Sequence, residues 1–141
     1  MKRHPALLGL SREHHTSLSL ARRAQRAAES GDAERIAGMA GVILSRFPSM
    51  LEPHFLSEER IILPPLERAG QGGLVRRTMA EHTQLRRLCG QLHAPDAALL
   101  MSFADALIAH VRFEERTLFE ALQSLGDETL LKAFVDADHF V

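Results

Sequence analysis

Along residues 99–122 one face carries Leu99, Phe103, Leu107, His110, Glu114, Leu118 and Leu122. Steps of three and four predict one long helix, and its buried stripe is interrupted by an imidazole and a carboxylate. Burying a carboxylate in such a row costs several kcal/mol unless a cation or hydrogen-bond donors compensate it. Whatever this chain folds into must answer that charge from within.

The same phrase occurs earlier. His54-Phe55-Leu56-Ser57-Glu58-Glu59-Arg60 and His110-Val111-Arg112-Phe113-Glu114-Glu115-Arg116 both read His-x-x-x-Glu-Glu-Arg. Positions i and i+4 share a helix face, so each copy sends an imidazole and a carboxylate the same way. The earlier copy leads into Ile61, Ile62 and Leu66. One isolated copy is more often a surface ion pair than a site. Two copies on apolar stripes, sharing Arg60/Arg116 and Leu66/Leu122, are a metal site in outline. Glu59 and Glu115 point off the histidine face, where they can pair with arginines or accept hydrogen bonds from ligating imidazoles.

Helical periodicity runs through nearly the whole chain, and alternating β-branched runs are missing. Five segments follow. The first starts between Pro5 and Ser11 and runs to about Ser30, where Gly31 breaks it; Asp32 caps the second, over about 33–64. Pro48 and Pro53 should kink that helix, and Pro64-Pro65 should end it. Gly70 to Gly73 reads as loop. The third segment spans about 74–93 and closes at Ala94-Pro95; the fourth, capped by Asp96, spans about 97–124. Asp127 caps a short fifth over about 128–138. Long helices with short connections predict an all-α, up-down-up-down four-helix bundle with a short C-terminal fifth helix, as a single domain over 1–141.

The third segment places His82 amid Val75, Met79, Leu85, Leu88, Cys89 and Leu92. In the first, His14 lies on the stripe Leu7, Leu10, Leu18, Ala21, Ala24, Ala28, whereas His15 has the local His-x-x-Leu pattern that His82 has. Periodicity favours His14 and the local pattern His15; both stand as candidates, with His14 preferred. The chain then divides into two half-units: His14 or His15 with His54 and Glu58, then His82 with His110 and Glu114. Four imidazoles and two carboxylates suit a pair of iron, manganese or zinc ions bridged by carboxylates rather than calcium or magnesium. His4, His93 and His139 read as solvated, Cys89 as a small packed hydrophobe, and the seven phenylalanines mostly as core. Arg22, Arg23 and Arg26 read as a solvated helix face.

Composition excludes other classes. A formal net charge of −1 offers no footprint for nucleic acid or anionic lipid. No stretch approaches the roughly 18–20 apolar residues of a membrane span. The basic start, Met-Lys-Arg-His-Pro, is followed by too short an apolar run for a signal peptide. The lone Cys89 fits a reducing cytoplasm. Tyrosine and tryptophan are absent, which removes tyrosyl-radical chemistry.

These motifs resemble the hemerythrin-like, HHE cation-binding domain family over nearly the whole chain. The resemblance rests on Arg12-Glu13-His14-His15, Pro53-His54-Phe55 with Glu58-Glu59 and Leu63-Pro64, Glu81-His82-x-x-Leu85-Arg86, and His110-x-x-x-Glu114-Glu115. It implies a four-helix bundle around a non-haem, carboxylate-bridged pair of iron ions. The implied ligands are His14 or His15, His54, Glu58, His82, His110 and Glu114, with Glu58 and Glu114 bridging. Two departures from the family's oxygen carriers stand out. Arg86 occupies the place of a second third-helix histidine, and the fourth-helix acid is Glu114 at i+4 rather than an aspartate at i+5. One fewer histidine implies an open position, suited to small diatomics or peroxide more than to oxygen storage. The expected function is therefore a response to oxygen, nitric oxide or peroxide, by sensing or scavenging, or the handling of iron. A peroxidase or NO-reductase-like enzyme would need an electron source, and no flavin or reductase motif is present. A homodimer or a separate redox partner is compatible with the sequence. The competing expectation is a metal-free bundle whose histidines form a pH-responsive or protein-interaction module.

Overall fold

The computed structural model describes residues 2–138, so His139 and Phe140 lie outside the described residues. The protein is all-α, with no strand among those residues. A 3₁₀ turn, Pro5–Leu7, leads into α1 (Leu8–Ser30). Then follow α2 (33–68), α3 (Gly72–Gln91), α4 (97–123) and the short α5 (Asp127–Asp138). Short turns bring each long helix back beside the one before. The helix α1 packs on α2 and most extensively on α4, and α3 packs on α4 and α2. No described helix is long and apolar enough to cross a membrane.

Local chemistry accounts for the turns. Gly31 closes α1 in the left-handed region at φ 65°, where a Cβ would be strained. Asp32 Oδ1 then accepts from the N–H groups of Glu34 and Arg35, at 2.9 and 3.3 Å. Asp96 Oδ1 accepts from Leu99 N–H at 2.7 Å and starts α4. Asp127 does not precede α5 but is its first residue, and its Oδ1 lies 3.3 Å from His4 Nε2. His4 is not simply solvated either: its Nδ1 accepts from Ala6 N–H at 3.0 Å and caps the 3₁₀ turn.

The second helix differs most from expectation. It continues through Pro64-Pro65 to Arg68, because its hydrogen-bond ladder changes register twice. Phe47–Leu51 and Glu58–Ile62 are π turns, closed by Glu52 N–H on Phe47 O and Leu63 N–H on Glu58 O. Proline lacks an N–H and crowds the carbonyl four residues back, so it is tolerated where a wider turn resets the ladder. Pro48 lies within the first π turn, Pro53 just after it, and Pro64 and Pro65 just after the second. The helix α4 has the matching turn, Glu114–Leu118, without proline. Each His-x-x-x-Glu phrase thus ends on the first residue of a π turn. At the next break Gln71 N–H donates to Leu66 O at 2.9 Å. Gln71 O then accepts from Leu74 and Val75 N–H, which starts α3 two residues early.

The apolar interior falls into two clusters. One runs from Leu20 through Ile43, Phe47 and Phe55 to Leu85, Phe103 and Val111. The other joins Leu7, Leu10, Ile62 and Leu66 to Phe113, Phe119, Leu122 and Leu130. The expected stripes hold with small rotations: Leu100 is buried where Leu99 is partly so, and Thr78 where Met79 is exposed. The Thr78 hydroxyl is satisfied by donating to Leu74 O at 2.8 Å. Phe134 packs partly buried against the second cluster. His93 and Arg22, Arg23 and Arg26 are exposed, as expected of solvated groups.

Candidate metal centre

Between the two apolar clusters lie six buried polar side chains: His14, His54, Glu58, His82, His110 and Glu114. Four helices contribute, α1 and α3 one histidine each, α2 and α4 one histidine and one glutamate each. The Glu58 and Glu114 carboxylates are fully buried at 0 % exposure, in the middle of the bundle. His15 lies outside this group and is exposed. One residue further along a helix turns a side chain by about 100°, which carries His15 off the stripe that His14 shares with Leu10 and Ala21.

Each imidazole has its Nε2 edge inward. His14 Nε2 lies 2.8 Å from Glu114 Oε1, and His82 Nε2 lies 3.0 Å from Glu58 Oε1. His54 Nε2 lies 3.1 Å from Glu58 Oε2, and His110 Nε2 lies 3.2 Å from Glu114 Oε1. His14 and His54 approach each other at 3.0 Å between their Nε2 atoms. Two overlapping tetrads result. His14, His54, Glu58 and Glu114 form one, and Glu58, His82, His110 and Glu114 the other, each with one ligand atom per residue within 4.8 Å of the rest.

The outward edges are held by a second ring of glutamates. His14 Nδ1–H donates to Glu115 at 2.6 Å, His82 Nδ1–H to Glu59 at 2.7 Å and His110 Nδ1–H to Glu81 at 2.7 Å. His54 Nδ1 faces Glu13 at a longer 3.4 Å. These carboxylates fix the tautomer that leaves the Nε2 lone pair pointing inward. Glu59 and Glu115 were expected as outer acceptors. Glu13 and Glu81 were not, although each stands immediately before a candidate histidine, in the repeated pairs Glu13-His14 and Glu81-His82. Each serves the histidine of the following helix.

With Nδ1–H turned outward, four lone pairs and two carboxylates face one another at close range, shielded from water. All are acceptors. His110 Nε2 and Glu114 Oε2 are in fact buried without a hydrogen-bond partner. Such orphans are costly in a dry interior and mark a missing cation or donor. In the absence of a cation, protons take its place. Burial, and then the charge of Glu114, push the Glu58 carboxyl well above its usual range. Burial acts against Glu114 too, but His110 and Glu58 outweigh it and hold that carboxylate well below its usual range. For His110, burial favours the neutral ring, yet the charge of Glu114 overcomes it and raises the pKa to about 9. The donor set, two imidazoles and two carboxylates per tetrad, fits a borderline divalent transition metal.

Arg86 is no ligand. Its guanidinium donates to Glu52 at 2.9 Å and to Glu59 at 2.8 Å, so it braces the carboxylate that braces His82. Phe55 stacks on His82 at 4.2 Å and Phe119 on His14 at 5.3 Å, which fixes both rings from the side. Cys89 is packed in the first apolar cluster, and burial pushes its thiol up to about 11, so it stays protonated near neutral pH.

A helical bundle with two overlapping His/Glu tetrads around buried, unpartnered ligand atoms is a bundle fitted for metal. The Hemerythrin HHE cation binding domain matches residues 8–122, and the chain belongs to that family. No individual curated protein and no solved structure matches it. Family and cluster together fit a metal-binding, hemerythrin-like protein.

Proposed function

We propose that this chain holds a pair of iron ions and responds through them to oxygen, nitric oxide or peroxide. His14 and His54 would hold one ion and His82 and His110 the other, with Glu58 and Glu114 bridging. The observation that carries this is the pair of buried, unpartnered atoms, His110 Nε2 and Glu114 Oε2, inside two tetrads of ligand geometry. Bound iron supplies redox chemistry and coordination positions open to a small ligand.

The protein's own part is to position and to exclude. The outer glutamates orient the imidazoles so that each Nε2 is aimed inward, and the apolar clusters on either side keep bulk water away. Arg86 is tied to Glu52 and Glu59, where the family's oxygen carriers have a further histidine, which favours a response to ligands over oxygen carriage. Manganese or zinc fits the same donors, and iron handling fits the same centre.

Optical spectroscopy of the iron-loaded protein tests the response. Absorption should appear with iron and shift when nitric oxide or azide is added. A spectrum indifferent to nitric oxide, azide and oxygen would leave a metal protein without this function.

A further inference from the structure

The two tetrads are built alike but braced unequally. Three of the four histidines rest on a glutamate that is itself held. Glu59 takes Arg86 at 2.8 Å. Glu81 takes Arg77 Nε–H at 2.9 Å, with the Arg77 guanidinium 3.9 Å from the centre of the Phe113 ring. Glu115 takes the Ser11 hydroxyl at 2.9 Å and Arg3 at 3.4 Å. The fourth, Glu13, stands 3.4 Å from His54, and among the described residues it makes no other ion pair. Its side chain is 43 % exposed, against 31 % for Glu115, 24 % for Glu81 and 17 % for Glu59.

The repeat shows where the difference arises. Glu13 and Glu81 occupy matching places, each directly before a histidine of α1 or α3. Arg77 lies four residues before Glu81, on the same helix face. Four residues before Glu13 stands Gly9, which has no side chain to offer. The shelf is missing too: Phe113, three residues after His110, corresponds to Ser57, three after His54.

We infer that the two metal positions are unequal, and that the His14/His54 position binds its ion more weakly because His54 lacks a held outer carboxylate. This rests on the metal reading proposed above. A partner carboxylate fixes the ring of a ligating histidine and raises its basicity, and losing one typically costs about 10–100-fold in metal affinity. The His54 position already lacks most of that gain. It is the place where an ion exchanges first, and where a coordination position opens most readily to an incoming ligand.

Cobalt(II) titration of the metal-free protein, followed by its visible bands and by competition with a chelator, reads the two affinities directly. Two resolved steps are expected. Glu81→Gln should weaken the tighter step by about 10–100-fold, whereas Glu13→Gln should move the weaker step by no more than about twofold, as for an exposed pair. Gly9→Arg restores the missing brace at i,i+4. A Cβ at Gly9 meets no atom within 4 Å, so the change is accommodated on the helix surface. It should tighten the weaker step severalfold and leave the tighter one in place, and Glu13→Gln in that background should cancel the gain. Two ions binding with one affinity, or equal losses from Glu13→Gln and Glu81→Gln, would overturn the inequality and leave the metal centre standing. Failure to bind cobalt at all would overturn both.

Discussion

His14, His54, Glu58, His82, His110 and Glu114 are each buried where an unpaired polar group is expensive. In the metal-free protein that expense is met by protons, which fixes a pH dependence. His110 is raised from 6.5 to about 9 in the folded state. Its contribution is therefore fully present below about 6.5 and is lost as pH rises through about 9. The Glu58 carboxyl is raised as well, so its contribution also falls with rising pH. Urea unfolding of the chelated protein should accordingly give lower stability at pH 9 than at pH 6.5. The metal-loaded protein should show the reverse trend between about pH 5 and 7, since the ligands must lose protons to bind. Identical slopes with and without metal would mean the six groups do not share one site. The ligand stripes were legible because His54, Glu58, His82, His110 and Glu114 interrupt apolar rows. Helical phase pointed to His14 and the local His-x-x-Leu pattern to His15, and the burial of His14 beside an exposed His15 goes with phase. The outer role of Glu13 and Glu81 was less legible, since it depends on which helix lies alongside.

At the level of elements, the helices and most of their caps follow from Gly31, Asp32 and Asp96. The π turns do not, because one extra residue in a turn barely disturbs an apolar pattern. Residues four and five after each glutamate, Ile62 and Leu63 or Leu118 and Phe119, are both buried, so the stripe reads as unbroken. That is why Pro64-Pro65 reads as a stop although the helix runs on. Turn chemistry gives a test independent of the metal. Gly31→Ala places a Cβ at φ 65°, and should cost about 1–2 kcal/mol of folding stability. Metal content should be unchanged, because this turn lies at the end of α1 away from His14. Denaturant unfolding measures the first and elemental analysis the second. A stability loss below about 0.3 kcal/mol, within the small effects of ordinary surface changes, would contradict the strained-turn account.

For the whole molecule, the two apolar clusters enclose a polar layer that neither could tolerate empty of charge balance. The duplicated phrases supply that layer with near two-fold symmetry: Glu58 answers His82 as Glu114 answers His14, and Glu59 answers His82 as Glu115 answers His14. Folding and metal loading should therefore be coupled, with the ions stabilising the four helices they join. The most direct measurement is metal content per chain after purification from iron-replete cells, set beside melting before and after chelation. About two ions per chain, mainly iron, a lower melting temperature after chelation, and loss of both ions in the Glu58→Ala, Glu114→Ala double variant with helicity retained are the expected results. Fewer than about one ion per chain, with melting unchanged by chelation, would contradict a metal centre here.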